Sequence, residues 1–329
     1  MKILVVDVAG EGGGALSVLN RYIERFKMDR ENEYIVCVGN LNFEDCENVK
    51  FVKFPWVKKS YLNRFYFDYV YIKRLVKKYR PDKIFSLLNK GVNVKNITQS
   101  VCFHNALFIC EKRFSLKESR LMWLYQNVIS FFTKRSLKKV DEVFVQAEWV
   151  KNCLVKSWNI DPSRIFIEPP QVDEIFKRQI ETSEYKDIKN LFFPAGPYPY
   201  KNHITLLTAC IDLWNKGLDF TLSFTGSLDN LSEDCQNLIK GGEYPITFLG
   251  RLSPEGMRKE YERSILVFPS YIETVGLPLA EARNMGIAIL AADCEYAHDV
   301  VGDYDNVTYF SPFDVAALKD AIAEFLEVK

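Results

Sequence analysis

The sequence predicts an α/β protein of two doubly wound domains, each with a parallel sheet between layers of helices. Its 329 residues exceed what one hydrophobic core usually organises. Strand-like and helix-like segments alternate along the chain, which favours parallel strands joined by crossover helices. The alternation stops at residues 160–174, a linker-like segment with three prolines, and then restarts. We therefore expect domains at residues 1–165 and 166–329, facing a central cleft.

In the first half, apolar runs of strand type alternate with amphipathic runs of helix type. The strand-like runs are KILVVDV, YIVCVGN, FVKF, KIFSLL, ITQSVCFH and EVFVQ. Helices are expected at ALSVLNRYIERF, near residues 60–79, near residues 115–139 and from about residue 147. The two middle helices mix aromatic and basic residues, and we expect most of their rings to lie in the core.

The second half repeats this plan. Its strand-like runs are NLFFPAG, FTLSFTG, ITFLG, ILVFPS and IAILAA. Helices are expected at ITLLTACIDLWNK and LPLAEARNMG, and near residues 231–239, 254–263 and 313–327. Ligands of doubly wound sheets bind beyond the carboxyl ends of the strands, where the strand order reverses. Residues that follow strands are therefore the candidates for function.

The composition excludes several classes of protein. Hydrophobic residues make up 48% of the chain, which rules against a disordered or collagenous class. The eight cysteines include no CxxC pair, so we expect reduced thiols in a cytoplasmic protein. The apolar run at the N-terminus is too short for a secretory signal or a membrane span, and we do not expect export.

Charge is distributed unevenly between the two halves. Residues 1–165 hold 29 Lys and Arg against 17 Asp and Glu, a balance of +12, and the remaining 14 and 26 give −12. The first half is expected to face something anionic, or else the halves attract each other. Anionic headgroups or a lipid-linked diphosphate acceptor fit the basic, aromatic helices. Nucleic acid is not expected, because no recognition motif accompanies the charge.

The segment PSYIETVGLPLAEARNMG, residues 269–286, carries the strongest functional signal. Pro278 suits the first turn of a helix and Gly286 its end, so the preceding backbone N–H groups can bind an anion. Glu273 lies in the loop before this helix and Glu281 in its first turns. The two carboxylates can bracket a ligand by accepting hydrogen bonds from a sugar and a ribose. Alternatively, Glu281 complements the helix dipole and Glu273 is a solvated loop residue.

The motif ETVGLPLAEA resembles the E-x7-E signature of the retaining glycosyltransferases of family 4, also called group 1. The similarity runs from about residue 190 to 302, through FLGRLSPEGM, VFPS and IAILAAD. It implies a GT-B fold of two Rossmann-like domains. Residues 1–165 would bind the acceptor and residues 166–329 the nucleotide sugar. No metal or other cofactor is implied, and the Asp-x-Asp strand end of metal-dependent glycosyltransferases does not occur.

The resemblance assigns roles to residues of the second domain. Glu281 would bind the ribose hydroxyls and Glu273 the donor sugar. The backbone at the start of the motif helix would contact the sugar and phosphates, and the segment after ITFLG would contact the base. These binding positions are Thr274, Val275, Gly276 and Leu277 for the first contact, and Gly250, Arg251 and Leu252 for the second.

Lys201 follows the strand NLFFPAG and begins a helix, where its ammonium group can reach a diphosphate. Without the family, an exposed lysine at such a place is commonly just solvated. Members of the family have an arginine and a lysine here, and both neutralise the leaving diphosphate. This chain keeps Lys201 but has GPYPY in place of the arginine. Arg251 is the candidate substitute.

The first domain offers two further candidates. The glycines of AGEGGGALSVL imitate the dinucleotide fingerprint G-x-G-x-x-A from Gly10, but the next strand ends at Asn40 with no acid for a ribose, which argues against a dehydrogenase. One interpretation of this loop is a plain turn. The family resemblance instead implies that the loop lies against the donor phosphates and the acceptor, which makes Gly13 and Gly14 candidate contacts.

His104 ends the strand QSVCFH. Family members often carry a histidine here, near the donor sugar, so we expect it in the catalytic centre, with a structural histidine as the alternative. The other two histidines, His203 and His298, show no metal-ligand spacing.

The function implied is retaining transfer of a sugar from a nucleotide-diphosphate sugar to a saccharide or lipid-linked saccharide. Lys201 and backbone N–H groups would stabilise the leaving diphosphate, and Glu273 would orient the sugar. Polysaccharide or lipopolysaccharide assembly at the inner face of the cell membrane is the expected setting. The alternatives are a sugar-nucleotide epimerase of the same architecture and a sugar-nucleotide-binding subunit without catalysis.

Overall fold

The computed structural model describes residues 1–177, 179 and 188–327. The chain divides into two compact units, Met1–Pro169 and Pro170–Lys329. Each unit holds one parallel sheet with helices packed against it. No helix among the described residues is long and apolar enough to cross a bilayer.

The first unit is built on a seven-stranded sheet. Its strands are β1 (Lys2–Asp7), β2 (Glu33–Val38), β3 (Val49–Lys53), β4 (Lys83–Ser86), β5 (Thr98–Phe103), β6 (Glu142–Val145) and β7 (Ile165–Ile167). The strand order is β3-β2-β1-β4-β5-β6-β7, so it reverses between β1 and β4. That reversal predicts a ligand site beyond the carboxyl ends of β1 and β4.

Six helices connect these strands. They are α1 (Gly13–Met28), α2 (Tyr61–Tyr66), α3 (Ile72–Tyr79), α4 (Arg120–Leu124), α5 (Ser130–Leu137) and α6 (Glu148–Trp158). A π-helical turn at Phe67–Tyr71 joins α2 to α3, and another at Tyr125–Ile129 joins α4 to α5. Successive strand residues point to opposite faces. Accordingly, Val5 packs in the cluster that contains α1, and Leu4 in the cluster that contains α3.

The second unit is built on a six-stranded sheet. Its strands are β8 (Asn190–Phe193), β9 (Thr221–Phe224), β10 (Ile246–Phe248), β11 (Ile265–Phe268), β12 (Ile289–Ala292) and β13 (Val307–Phe310). Its helices are α7 (His203–Asn215), α8 (Glu233–Lys240), α9 (Pro254–Tyr261), α10 (Leu277–Met285), α11 (Glu295–Val301) and α12 (Val315–Glu327). The strand order β10-β9-β8-β11-β12-β13 reverses between β8 and β11.

Three elements differ from the sequence expectation. β7 lies inside the segment that we expected to be a linker, where Ile165 is buried and pairs with Val143 of β6. The first unit therefore ends at Pro169, four residues later than the expected boundary at residue 165. α11 and β13 occupy a stretch in which we expected no element, and β13 completes the sheet beside β12.

The aromatic rings of α2 and its π-helical turn are more exposed than the sequence predicted. We expected most rings of the two middle helices to lie in the core. In the first of these helices Phe67 is fully buried, but Tyr61, Phe65, Tyr66 and Tyr69 are exposed. The reason is geometric, because these four rings lie on the helix face opposite the one that packs on the sheet.

Candidate active site

Lys201 and Glu273 meet where the strand order of the second sheet reverses. Lys201 ends a short 3-10 turn after β8, and Glu273 lies in the loop between β11 and α10. Lys201 Nζ forms an ion pair with Glu273 Oε1, and the two side chains are only 16% and 14% exposed. Ser270 Oγ donates to the same carboxylate oxygen at 2.6 Å. The fold thus joins two residues that the sequence singled out separately, at the edge where doubly wound sheets bind ligands.

Asn202, which the sequence analysis did not single out, fixes the backbone beside Lys201. It is almost fully buried and has a φ of 63°, in the left-handed region that Asn tolerates better than most residues. Its Nδ2 donates to the carbonyl of Pro312 at 2.6 Å, and its Oδ1 accepts from Thr205 Oγ1 at 2.7 Å. These bonds anchor the end of the 3-10 turn, so the position of the lysine depends on Asn202.

The GPYPY segment places two aromatic rings beside Lys201. The rings of Tyr198 and Tyr200 stack with centroids 5.4 Å apart and an angle of 4° between their planes. The Tyr200 carbonyl accepts from the backbone N–H of Tyr271 at 3.0 Å. This bond ties the segment after β8 to the loop after β11, so the departure from the family pattern forms an ordered part of the site.

Gly276 forms the turn from which α10 begins. Its φ is 73°, and its carbonyl accepts from Leu279 N at 2.9 Å. A Cβ at this position would lie 3.2 Å from Cε2 of the buried Tyr296. Tyr296 belongs to α11 and donates from its hydroxyl to the Ser270 carbonyl. Backbone N–H groups at the start of a helix attract anions. Those at the start of α10 lie at the same carboxyl edge of the sheet as Glu273, since both follow β11.

The Gly276→Ala variant is expected to be less stable than wild type, because Ala pays about 1–2 kcal/mol in the left-handed region and the crowding against Tyr296 adds about 1–3 kcal/mol. Urea denaturation measures the loss. Gly217→Ala is the matched control, since Gly217 has a φ of 90° with open space around it. Equal losses in the two variants would contradict the crowding at Gly276.

Glu281 lies in the middle of α10, half-buried, with its Oε2 accepting from Tyr261 Oη at 2.8 Å. Burial raises the pKa of Glu281, against the opposing effect of the Tyr261 hydrogen bond. The first turn of α10 holds no acidic residue. Dipole effects fade beyond the first turn, so complementing the helix dipole does not explain this carboxylate. Tyr261, which is fully buried, instead holds it in one orientation.

Gly250, Arg251 and Leu252 line a cavity of about 290 Å³. It opens beyond the carboxyl ends of β8, β9 and β10, and its other lining residues are Pro194, Ala195, Gly196, Thr225, Gly226 and Met257. Gly226 and Gly250 exchange two backbone hydrogen bonds, of 2.8 and 3.1 Å. Their φ values of 89° and 68° require glycine there. Arg251 and Gly196 both line this cavity. Arg251 therefore lies close to the GPYPY segment, which lacks the family's arginine.

In the first unit, His104 follows β5 at the carboxyl edge of the sheet. Its backbone N–H donates to Asn89 Oδ1 at 2.6 Å. Burial lowers the pKa of His104 to about 4, and the charge of Arg21 acts in the same direction. The imidazole is therefore neutral at neutral pH and can exchange hydrogen bonds but cannot supply a positive charge. Its contact with a donor sugar stays a prediction.

The glycine-rich loop lies beyond β1, at the reversal of the first sheet, and α1 begins with Gly13 and Gly14. Glu11 Oε1 accepts from Asn40 N at 2.8 Å, and Glu11 Oε2 pairs with Lys58 Nζ at 2.8 Å. The carboxylate of Glu11 is thus held at the end of β2.

A family model described as "Glycosyl transferases group 1" matches residues 174–329. The O-antigen chain mannosyltransferase RfbU of Salmonella typhimurium is 23% identical over 202 residues, which cover 58% of this chain and 53% of the relative. The serotype-specific mannosyltransferase WbdA of Escherichia coli is 28% identical over 132 residues, which cover 39% of this chain and 16% of the relative. The chain thus spans about half the length, or less, of these curated relatives.

Solved structures share the fold over nearly the whole chain. WaaG, a glycosyltransferase involved in lipopolysaccharide biosynthesis, has a TM-score of 0.70 at 17% identity, over 98% of this chain and 90% of its own. A glycosyltransferase from Rickettsia africae ESF-5 has a TM-score of 0.67 at 16% identity, over 99% and 88%. Anabaena Alr3699/HepE in complex with UDP-glucose has a TM-score of 0.67 at 15% identity, over 100% and 90%. These likenesses show the fold, which is the predicted GT-B fold.

Proposed function

We propose, from the premise that this chain belongs to the group 1 glycosyl transferases, that it transfers a hexose from a nucleotide-diphosphate sugar to a saccharide or lipid-linked acceptor. The observation that carries the proposal is the Lys201–Glu273 ion pair at the strand-order reversal of the second sheet. A cation, a carboxylate and a helix start share this edge. That combination suits a ligand with both a diphosphate and a sugar.

Each polar group of the site is assigned to one part of the donor according to its charge. Lys201 exchanges Glu273 for the diphosphate when the donor binds, because a charge-assisted bond to a phosphate stabilises the leaving group. The N–H groups at the start of α10 act on the same charge. Glu273, held by Ser270, then accepts hydrogen bonds from the sugar and orients it for transfer with retention of configuration.

The remainder of the donor is assigned to Glu281 and the cavity. Glu281, oriented by Tyr261, accepts hydrogen bonds from the ribose hydroxyls, and the cavity lined by Gly250, Arg251 and Leu252 receives the base. A nucleotide-sugar donor is supported by the HepE structure, which holds UDP-glucose. The names of the curated relatives, both mannosyltransferases, support transfer of a hexose.

The acceptor is assigned to the first unit. Its surplus of positive charge suits a lipid-linked diphosphate or an anionic membrane. Gly13, Gly14 and His104, at the carboxyl edge of its sheet, are the proposed contacts. The names of RfbU and WaaG support a role in O-antigen or lipopolysaccharide synthesis. We place this role at the inner face of the cell membrane.

Titration of UDP-, GDP- and ADP-sugars, beside an assay of donor consumption, tests the proposal. We expect binding of one nucleotide class and release of the nucleoside diphosphate that depends on an acceptor. Turnover without any acceptor would support the epimerase instead. Binding without turnover on any acceptor fraction would support a non-catalytic subunit, a second candidate that the missing arginine favours.

Transfer is expected to continue in EDTA, because Lys201 and backbone N–H groups neutralise the diphosphate in this mechanism. The measurement is the transfer rate before and after chelation, followed by addition of Mg²⁺ or Mn²⁺. The described residues contain no group of three or more His, Cys, Asp or Glu side chains that could hold a metal ion. Loss of activity in EDTA and its recovery with metal would show the metal-free mechanism to be wrong.

A further inference from the structure

One face of the first unit carries a continuous exposed stripe along α2, its π-helical turn and α3. The stripe begins with apolar side chains, among which Leu62 is 81% and Phe65 61% exposed. Exposed pairs recur every four residues along the whole helix. The apolar pairs are Tyr61 and Leu62, Phe65 and Tyr66, and Tyr69 and Val70. The basic pairs that follow are Lys73 and Arg74, and Lys77 and Lys78.

The π-helical turn explains how exposed residues that are four apart in sequence stay on one side of the helix. In an ideal α-helix, residues four apart are offset by about 40°, so a stripe from Tyr61 to Lys77 would turn by about 160° around the axis. The turn at Phe67–Tyr71 closes with i→i+5 hydrogen bonds and takes more residues per turn. It therefore reduces the drift and aligns the apolar section with the basic section.

A second stripe of the same kind follows α4, its π-helical turn and α5. Its exposed apolar side chains include Phe131 and Phe132, which are 59% and 55% exposed. Leu121 and Val128 precede them on the exposed surface. Of the exposed basic residues, Arg120 lies at the start of α4, and Arg135, Lys138 and Lys139 lie near and just after the end of α5. Both helices thus end in a basic section that follows exposed apolar side chains.

The two stripes lie side by side on one face of the sheet. Lys90 Nζ pairs with Asp68 of the first helix at 2.6 Å, and the next residue, Gly91, donates its N–H to Ser136 Oγ of the second at 2.8 Å. Both helices are crossovers between parallel strands, which are right-handed in nearly all proteins. Both start from the carboxyl edge of the first sheet, so both put their apolar section nearer that edge.

We propose that this double stripe, defined by exposed residues of 61–78 and 121–139, is a membrane-binding surface that inserts its apolar section into the interface of an anionic bilayer. The inference rests on the proposed function for its purpose, which is to bring a lipid-linked acceptor to the carboxyl edge of the first sheet. Exposed aromatic rings followed by Lys and Arg are typical of segments that lie in a membrane interface.

Charge decides between a bilayer and a second copy of the chain. Residues 57–79 include one acid, Asp68, which is buried and paired with Arg64 and Lys90, and residues 120–139 include none. A second copy packed on this face would bring like charges together, which opposes association. An anionic headgroup layer complements all of these cations at once, while the aromatic side chains enter the apolar boundary.

Co-sedimentation of the full chain with vesicles of phosphatidylglycerol and phosphatidylcholine, and of phosphatidylcholine alone, tests the surface. The apolar variant carries Leu62→Gln, Phe65→Gln, Phe131→Gln and Phe132→Gln. The charge variant carries Lys73→Glu, Lys77→Glu and Lys78→Glu. The control is Met28→Gln, because Met28 is 78% exposed at the end of α1, on the opposite face of the sheet.

The apolar variant is expected to lower the partition coefficient on anionic vesicles about 100-fold at every salt concentration. The charge variant is expected to lower it about 100-fold at low salt, and by much less at 1 M salt, where the Debye length is about 3 Å. Met28→Gln should pellet as wild type does. Thermal melts check folding, which should be unchanged because all the substituted side chains are exposed.

Two results would overturn the membrane surface: wild type that does not pellet with anionic vesicles, and an apolar variant that pellets as wild type does. A wild-type dimer that the apolar variant dissociates, without vesicle binding, would assign the stripe to a second copy. Nucleotide-sugar binding is measured for each protein without lipid. Its absence from wild type would refute the proposed function, whereas the vesicle result would stand by itself.

Discussion

Replacing Lys201 with Met is expected to lower kcat/KM for sugar transfer about 100- to 1,000-fold, the usual loss when one preorganised group that stabilises developing charge is removed. The methionine keeps much of the aliphatic length but leaves the departing diphosphate without its ammonium partner. Steady-state release of the nucleoside diphosphate measures the effect. Lys319→Met is the matched control, because Lys319 pairs with Asp212 at 3.0 Å in the same unit.

A purely structural role of the ion pair can be separated from a chemical one. Lys201→Met leaves the nearly buried Glu273 without its cation, which destabilises a protein whether or not the lysine binds substrate. Adding Glu273→Gln removes that unpaired charge, so the double variant should regain stability. It should not regain activity. Recovery of transfer in the double variant would contradict the proposed role of Lys201.

The Glu281→Ala variant is expected to bind the nucleotide sugar about 10- to 100-fold more weakly, since hydrogen bonds to a charged group contribute about 1.5–3 kcal/mol. Calorimetric titration with the donor gives the affinity. Because burial raises the pKa of Glu281, wild-type affinity should fall on acidification at a higher pH than an exposed glutamate would give.

Tyr261→Phe is the control for orientation. It removes the hydroxyl that holds Glu281 at 2.8 Å but keeps the carboxylate, so its loss of affinity should be smaller than that of Glu281→Ala. Unchanged donor affinity in Glu281→Ala would show that Glu281 does not contact the ribose.

The fold was largely predictable because its strands are long apolar runs with helix-like segments between them. KILVVDV and ILVFPS became β1 and β11, as expected. β7 was not predicted, because a strand of three residues close to prolines carries almost no periodic signal. α11 and β13 were not predicted either, because elements of seven and four residues are also too short for a clear periodic signal. The exposed rings of the first stripe could not be predicted, since a π-helical turn changes which face a residue joins.

The candidate site was predictable in its residues but not in its contacts. The rule that ligands bind beyond the carboxyl ends of parallel strands selected Lys201 and Glu273, which are 72 residues apart in sequence. Their pairing depends on the neighbouring positions of β8 and β11, which tertiary packing sets. Ser270, Asn202 and Tyr261 were missed because each acts on a functional residue through a side-chain bond that no local pattern records.

The most direct test of sugar transfer is proton NMR of the nucleotide sugar with wild-type protein, with and without acceptor. The anomeric proton reports the fate and the configuration of the sugar. We expect the donor signal to decay only in the presence of acceptor, and the new glycosidic signal to show the donor's anomeric configuration. A donor that is converted without acceptor, or a product of inverted configuration, would contradict the retaining transfer proposed for this chain.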